Sequence, residues 1–136
     1  MSKVILKKTN RKVAVKVYGT GVSETISLAT DCITNRETLD TTQEVNILQI
    51  IYSGAPGATA TITRNGVIIL SMSGDSVGSF DFNGSDFTES IENSSDIVVT
   101  TTGLMQVYLV LRKDGGYLSN IDDGLSIYDN PNLPGV

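Results

Sequence analysis

The sequence predicts an all-β fold, a single antiparallel β-sandwich of jelly-roll or immunoglobulin-like type. Three observations carry this. Nearly every patterned segment repeats its apolar residues with period two, the signature of a half-buried strand. No 11-residue window shows the i, i+3, i+4, i+7 spacing of an amphipathic helix. Short runs are separated by turns rich in Gly, Asn, Asp and Ser, and a chain of 136 residues is the right size for one such domain. Periodicity does not separate a sandwich from a small barrel, which stays open as the alternative.

The elements follow in order. A basic N-terminal strand pair begins the chain, and in its second strand Val13, Val15 and Val17 alternate with Lys12, Ala14, Lys16 and Tyr18. Residues 24–30 repeat the alternation through Ile26 and Leu28. In 44–53, Val45 and Ile47 set one phase and Leu48, Ile50 and Tyr52 the other; such a slip predicts a β-bulge or a strand buried on both faces. Residues 58–64 and 67–73 flank Asn65-Gly66, the dipeptide of a type I′ hairpin, because both central residues need positive φ. There Thr59, Thr61 and Thr63 should face water and Ala60 and Ile62 the core, the small alanines implying close approach of another layer. Further strands are predicted at 77–82, 96–102 and 104–112; in the last, Met105, Val107, Leu109 and Leu111 share one face. Gly115-Gly116 and later Asn and Pro turns then predict an irregular arm. The expected division is a sandwich domain over 1–113 and a C-terminal arm over 114–136, packed on its own domain or on a neighbouring chain.

Composition excludes several chemistries. The chain has no His, no Trp and one Cys, while Ser and Thr make up 29 residues and Gly another 13. Without histidine there is no His-ligated metal site, Ser-His-Asp triad or Cys-His pair. One thiol cannot form an internal disulfide, and Cys32 reads as a packing residue. The N-terminal segment has no apolar run long enough for a signal peptide or a membrane span, so synthesis in a cytoplasm is the expectation.

The net charge of −5 conceals a strong asymmetry. Lys3, Lys7, Lys8, Arg11, Lys12 and Lys16 occupy the first sixteen residues without an acid among them, whereas the chain from Asp75 onward is strongly acidic. Lysines on a strand face can simply block edge-to-edge aggregation. They can also meet an acidic surface, on a partner protein or on another copy of the chain. Nucleic acid is a poor fit, since the segment lacks interleaved aromatics and the domain is acidic overall.

Paired carboxylates are the remaining catalytic option, and Asp81, Asp86, Glu89 and Asp122-Asp123 show no cleft signature around them. Asp81, Asn83, Ser85, Glu89 and Glu92 match the oxygen-ligand spacing of a Ca²⁺ loop, but position 6 is Asp86 rather than Gly and no helices flank it. A polar turn is the reading preferred there, and no metal site is assigned. Gly19-Thr20-Gly21 and Gly54-Ala55-Pro56-Gly57 precede no helix and read as turns, not phosphate loops.

Several phrases of the sequence belong together. Val13-Ala14-Val15-Lys16-Val17, Gly19-Thr20-Gly21 and Thr25-Ile26-Ser27-Leu28 are followed by Ile62-Thr63-Arg64-Asn65-Gly66-Val67, by Ser95-Asp96-Ile97-Val98-Val99-Thr100, and by Val107-Tyr108-Leu109-Val110-Leu111-Arg112-Lys113. Over most of residues 12–117 this order resembles small virion structural proteins of tailed phages; the tail after Leu118 has no counterpart. The resemblance implies a non-enzymatic particle protein, a capsid decoration (cement) subunit made in the host cytoplasm and located in the virion. A head–tail or tail component, or a carbohydrate-binding or adhesive sandwich, are the alternatives. The expected partners are the major capsid protein or other virion proteins and further copies of the chain. No cofactor, nucleic acid or membrane is expected. Candidate interface residues are Lys3, Lys7, Lys8, Arg11, Lys12 and Lys16, with Tyr117, Leu118, Ile121, Leu125, Ile127 and Tyr128 of the arm.

Overall fold

The computed structural model describes residues 2–75, 77–82 and 93–119. Alternating sequence becomes nine strands: β1 (Lys3–Lys8), β2 (Lys12–Thr20), β3 (Ser23–Ile26), β4 (Glu37–Gly54), β5 (Thr59–Arg64), β6 (Val67–Ser73), β7 (Gly78–Asp81), β8 (Ile97–Thr102) and β9 (Leu104–Ser119). They form a five-stranded sheet ordered β1-β2-β9-β4-β7 and a four-stranded sheet ordered β3-β8-β5-β6, with every pair antiparallel. From β2 onward each connection crosses between sheets except the β5–β6 hairpin. That order is the jelly roll's, with β1 added outside β2, and it decides among the architectures the periodicity left open.

The core lies between the sheets. Val13, Val15 and Val17 of β2, Val45, Ile47 and Ile50 of β4, and Met105, Val107, Leu109 and Leu111 of β9 meet Ile26, Ala60, Ile62, Met72, Ile97 and Val99 from the other sheet, all buried. Ala58 is crowded from the side by its own sheet: a Cβ on Gly103, at the end of the neighbouring β8, would lie 2.9 Å from that of Ala58. The type I′ turn forms at Asn65 (φ 50°) and Gly66 (φ 76°). The phase slip in β4 is a bulge. Ile47 pairs with Leu111 but Gln49 with Val110, and the Leu48 carbonyl left between them accepts from the Phe82 amide at 2.9 Å.

Two expectations are corrected. The strand expected over 24–30 stops at Ile26. The Asp31 amide donates to the Ser27 carbonyl (2.8 Å) and the Asp31 carboxylate accepts the Ser27 amide (2.8 Å), a local closure that competes with the sheet ladder. The arm also does not begin at 114. β9 continues to Ser119, where Leu118 pairs with Thr38 and Tyr117 with Leu39 of β4. The glycines do not end the strand. Gly116 (φ 87°) sits opposite a bulge at 40–43, and a Cβ there would collide with the Thr42 carbonyl and Gln43 Cα. The remainder of the arm, 120–136, lies outside the described residues.

Candidate functional site

The outer face of the five-stranded sheet is built by the residues that alternate with the core. Register places Val4 beside Lys16, Lys16 beside Tyr108 and Tyr108 beside Ile51, a row that runs across four strands. The Lys16 ammonium lies 4.6 Å from the Tyr18 ring centroid and 5.6 Å from that of Tyr108, within cation–π range of both. Val4, Tyr18, Ile51 and Leu104 are exposed, so the face shows solvent an apolar and aromatic band. At one end, Tyr18, Ser53, Gly54, Ala55, Leu104 and Gln106 border a groove of about 420 Å³, and the Gln106 side-chain amide donates to Ser53 Oγ at 2.9 Å.

The opposite end of β2 carries the charge. The β1–β2 hairpin is closed by the Thr9 amide donating to the Lys12 carbonyl (2.8 Å), and the Thr9 hydroxyl oxygen accepts from the Arg11 and Lys12 amides (3.2 and 2.9 Å). This tight turn gathers Lys7, Lys8, Arg11 and Lys12, all exposed. Among the described residues none of the four is ion-paired. Lys7, Thr9 and Lys12 border a cleft of about 200 Å³ whose remaining walls are Val13, Ala14 and Val110.

The predicted interface residues therefore separate. Lys7, Lys8, Arg11 and Lys12 stay together at the hairpin, and Leu118 is exposed at the end of β9. Lys3 is engaged within the fold, donating to the Thr25 carbonyl and to Asp31 Oδ2, each at 2.8 Å. Lys16 is held by the two tyrosines. Tyr117 packs against the core and its hydroxyl donates to the Leu28 carbonyl at 2.6 Å, which takes it out of any outward-facing surface. Ile121, Leu125, Ile127 and Tyr128 lie outside the described residues. Of the candidate Ca²⁺ loop only Asp81 is described, exposed and opposite Gln49, while Asn83, Ser85, Glu89 and Glu92 lie outside the described residues. Among the described residues no three His, Cys, Asp or Glu side chains are placed to hold a metal ion.

Sequence reasoning missed a polar interior. Arg64 is 0% exposed, and its guanidinium donates to the carbonyls of Val45 (2.7 Å), Asn93 (2.9 Å) and Ser95 (2.6 and 3.1 Å), joining β4 to the segment that leads into β8. Lys113 and Glu37 form a buried ion pair at 2.5 Å, with side chains 1% and 2% exposed. The same ammonium donates to the Thr9 carbonyl at 3.0 Å and lies 4.4 Å from the Tyr117 ring centroid. Burial alone would raise Glu37, but the Lys113 bond and the Thr34 amide and hydroxyl outweigh it and hold the carboxyl below its usual range. Burial pushes the neighbouring Cys32 thiol up to about 11 against the pull of Lys113. It also raises Tyr117 above the ordinary tyrosine value, helped by Cys32. The signal was present as phase: Arg64 continues the face of Ala60 and Ile62, and Lys113 that of Leu109 and Leu111.

No protein-family model matches the chain, and no curated protein matches it in sequence. Among solved structures, a cupin superfamily protein from Desulfitobacterium hafniense is similar at a TM-score of 0.36 and 12% sequence identity, over 83% of this chain and 76% of that one. A likeness of that size leaves the fold assignment resting on the strand order.

Proposed function

We propose that the chain is a non-enzymatic structural protein of a tailed-phage particle, a decoration subunit that seats on the capsid shell and cements it. Jelly rolls serve capsids, lectins and cupins alike, so the fold does not choose among them. The observation that carries the reading is the surface. One sheet presents an exposed apolar and aromatic band, flanked by four basic side chains without ion-pair partners among the described residues. Apolar contact area with unneutralised charge at one end suits docking on a protein surface that bears carboxylates. The order of phrases, which resembles that of small virion structural proteins, supports the same reading. The partner is then the major capsid protein or another virion protein. Mass spectrometry and symmetry-averaged imaging of purified particles test it. Many symmetric copies around capsid subunits are expected, a few copies at the neck or tail would move the assignment to a head–tail or tail component, and absence from particles would overturn it.

A second reading, a glycan-binding sandwich, is favoured by the groove at Tyr18, where an exposed ring stands beside the Gln106 amide and the Ser53 hydroxyl. Glycan-array binding abolished by Tyr18→Ala would move the assignment there; Tyr117, whose hydroxyl is engaged with Leu28, is not the residue to test.

A further inference from the structure

We infer that the segment 121–129 of one copy pairs with the β1 edge and basic hairpin of a second copy, so that the chain self-associates by exchanging acidic arms. Three observations converge. The outer side of β1 is an edge of the five-stranded sheet, a row of backbone donors and acceptors that no described strand covers, with Val4 and Leu6 exposed along it. The hairpin that ends this edge carries Lys7, Lys8, Arg11 and Lys12 without an ion-paired acid among the described residues. The chain beyond Ser119 supplies the complement. It reads Ile121-Asp122-Asp123-Gly124-Leu125-Ser126-Ile127-Tyr128-Asp129, with three carboxylates, apolar residues at alternate positions 125 and 127, and no Lys or Arg through 136. Pro131 cannot donate to a ladder, so backbone pairing of this segment would stop before it. Extended at roughly 3.3 Å per residue, the segment is longer than the six residues of β1.

Its occupant is a neighbour because of the direction in which β9 leaves. β9 passes its own hairpin where the Lys113 amide donates to the Arg11 carbonyl at 2.7 Å. It then runs on, paired with β4, to Ser119, about 20 Å farther at the rise of a strand. To reach its own β1 the arm would have to reverse and cross β2, which lies between β9 and β1. A strand added to an edge gains backbone hydrogen bonds, and the charges set its register. Two copies exchanging arms reciprocally close a twofold dimer.

The proposal rests on the hairpin being a docking surface, as in the functional reading, but its test needs no particle, so either can fail alone. Purified full-length chain is measured by sedimentation at low and high salt beside two charge-reversed variants. One carries Lys7→Glu, Lys8→Glu and Arg11→Glu; the other carries Asp122→Lys, Asp123→Lys and Asp129→Lys. The parent should associate, more weakly by about tenfold or more at high salt, since exposed charges are screened. Each variant alone should lose association, and an equimolar mixture should restore it, because each then supplies the charge the other lacks. A parent that stays monomeric at low salt, variants that associate like the parent, or a mixture that stays monomeric would each overturn it. Thermal melts of both variants accompany the measurement. The arm variant changes no described residue, so its result stands even if the hairpin variant folds poorly.

Discussion

The same residue types behave oppositely in two regions of this molecule. Inside, the side chains of Arg64 and Lys113 are almost wholly buried, and the bonds around them tie strands together: Arg64 reaches three backbone carbonyls, and Lys113 reaches Glu37, the Thr9 carbonyl and the Tyr117 ring. At the hairpin, Lys7, Lys8, Arg11 and Lys12 lie in water without ion-pair partners among the described residues. Taking a charge out of water costs several kcal/mol unless nearby polar groups replace its hydration. The interior cations are consequently coupled to the fold, and removing their partners exposes that cost. The hairpin cations, exposed and outside those bonds, are available to what approaches from outside. Cation count therefore says little here; position relative to the strand face decides whether a cation serves stability or recognition.

The contrast can be broken in order of expected effect. Lys113→Met should destabilise the protein by about 3–5 kcal/mol, since it strands the Glu37 carboxylate in the interior. The double variant Glu37→Leu/Lys113→Met should recover a large part of that loss, and urea unfolding of the full cycle measures the coupling. Arg64→Met should cost roughly 3 kcal/mol, because the Val45 and Ser95 carbonyls lose the guanidinium as donor at about 1–3 kcal/mol each, while the Asn93 carbonyl keeps the Val45 amide. Arg64→Lys should not rescue it, as one ammonium does not span the forked guanidinium's acceptors. Gly116→Ala should cost about 1–3 kcal/mol and raise amide exchange in the part of β9 beyond Lys113, since alanine meets both a positive φ and the Thr42 carbonyl.

The titration limits sharpen the same comparison. Glu37 is depressed, so its contribution is fully present above the ordinary carboxylate value and is lost as pH falls through its lower folded value. Cys32 is raised, so its contribution is present below pH 9 and is lost as pH climbs toward about 11, where the unfolded thiol has ionised and the folded one has not. Cys32→Ala should therefore flatten the alkaline limb of a stability–pH curve. The native thiol should resist alkylation until the protein unfolds. The smallest effect on stability belongs to the hairpin. Lys7→Ala with Lys8→Ala should leave the unfolding midpoint within error of the parent.

Strand identity was legible because period-two alternation reports directly on which residues face a core. The slip at Leu48 was readable as a break in that alternation, and the Asn65-Gly66 turn from the positive φ its residues tolerate. The same alternation held Arg64 and Lys113 in the core phase, yet their charge type argued for the surface. Only the carbonyls, Glu37 and Tyr117 brought in from distant segments make those positions tenable. Gly115-Gly116 was misleading for a related reason. Glycine marks a place where the backbone departs from a regular strand, and whether that departure is an end or a bulge depends on a partner strand. Here the partner is β4, which supplies Leu39 and Glu44 on either side of the bulge. The hairpin half of the candidate surface was readable as a run of cations, but the groove and tyrosine face were not. Tyr18, Ile51 and Tyr108 become neighbours only through the register of three strands distant in sequence.

Sequence alone thus determined the class of fold, the strands and most turns, and the basic N-terminal asymmetry, because each depends on local periodicity, on φ preferences or on composition. Tertiary structure decided the rest. It selected the jelly roll from the possible sandwiches, carried β9 through Gly116 to Ser119, sent Lys3 and Tyr117 inward and left Lys7, Lys8, Arg11 and Lys12 outside. Those outcomes depend on which distant strands pair and on which carbonyls and carboxylates the pairing delivers to a buried charge. Neither is encoded within any single window of the chain.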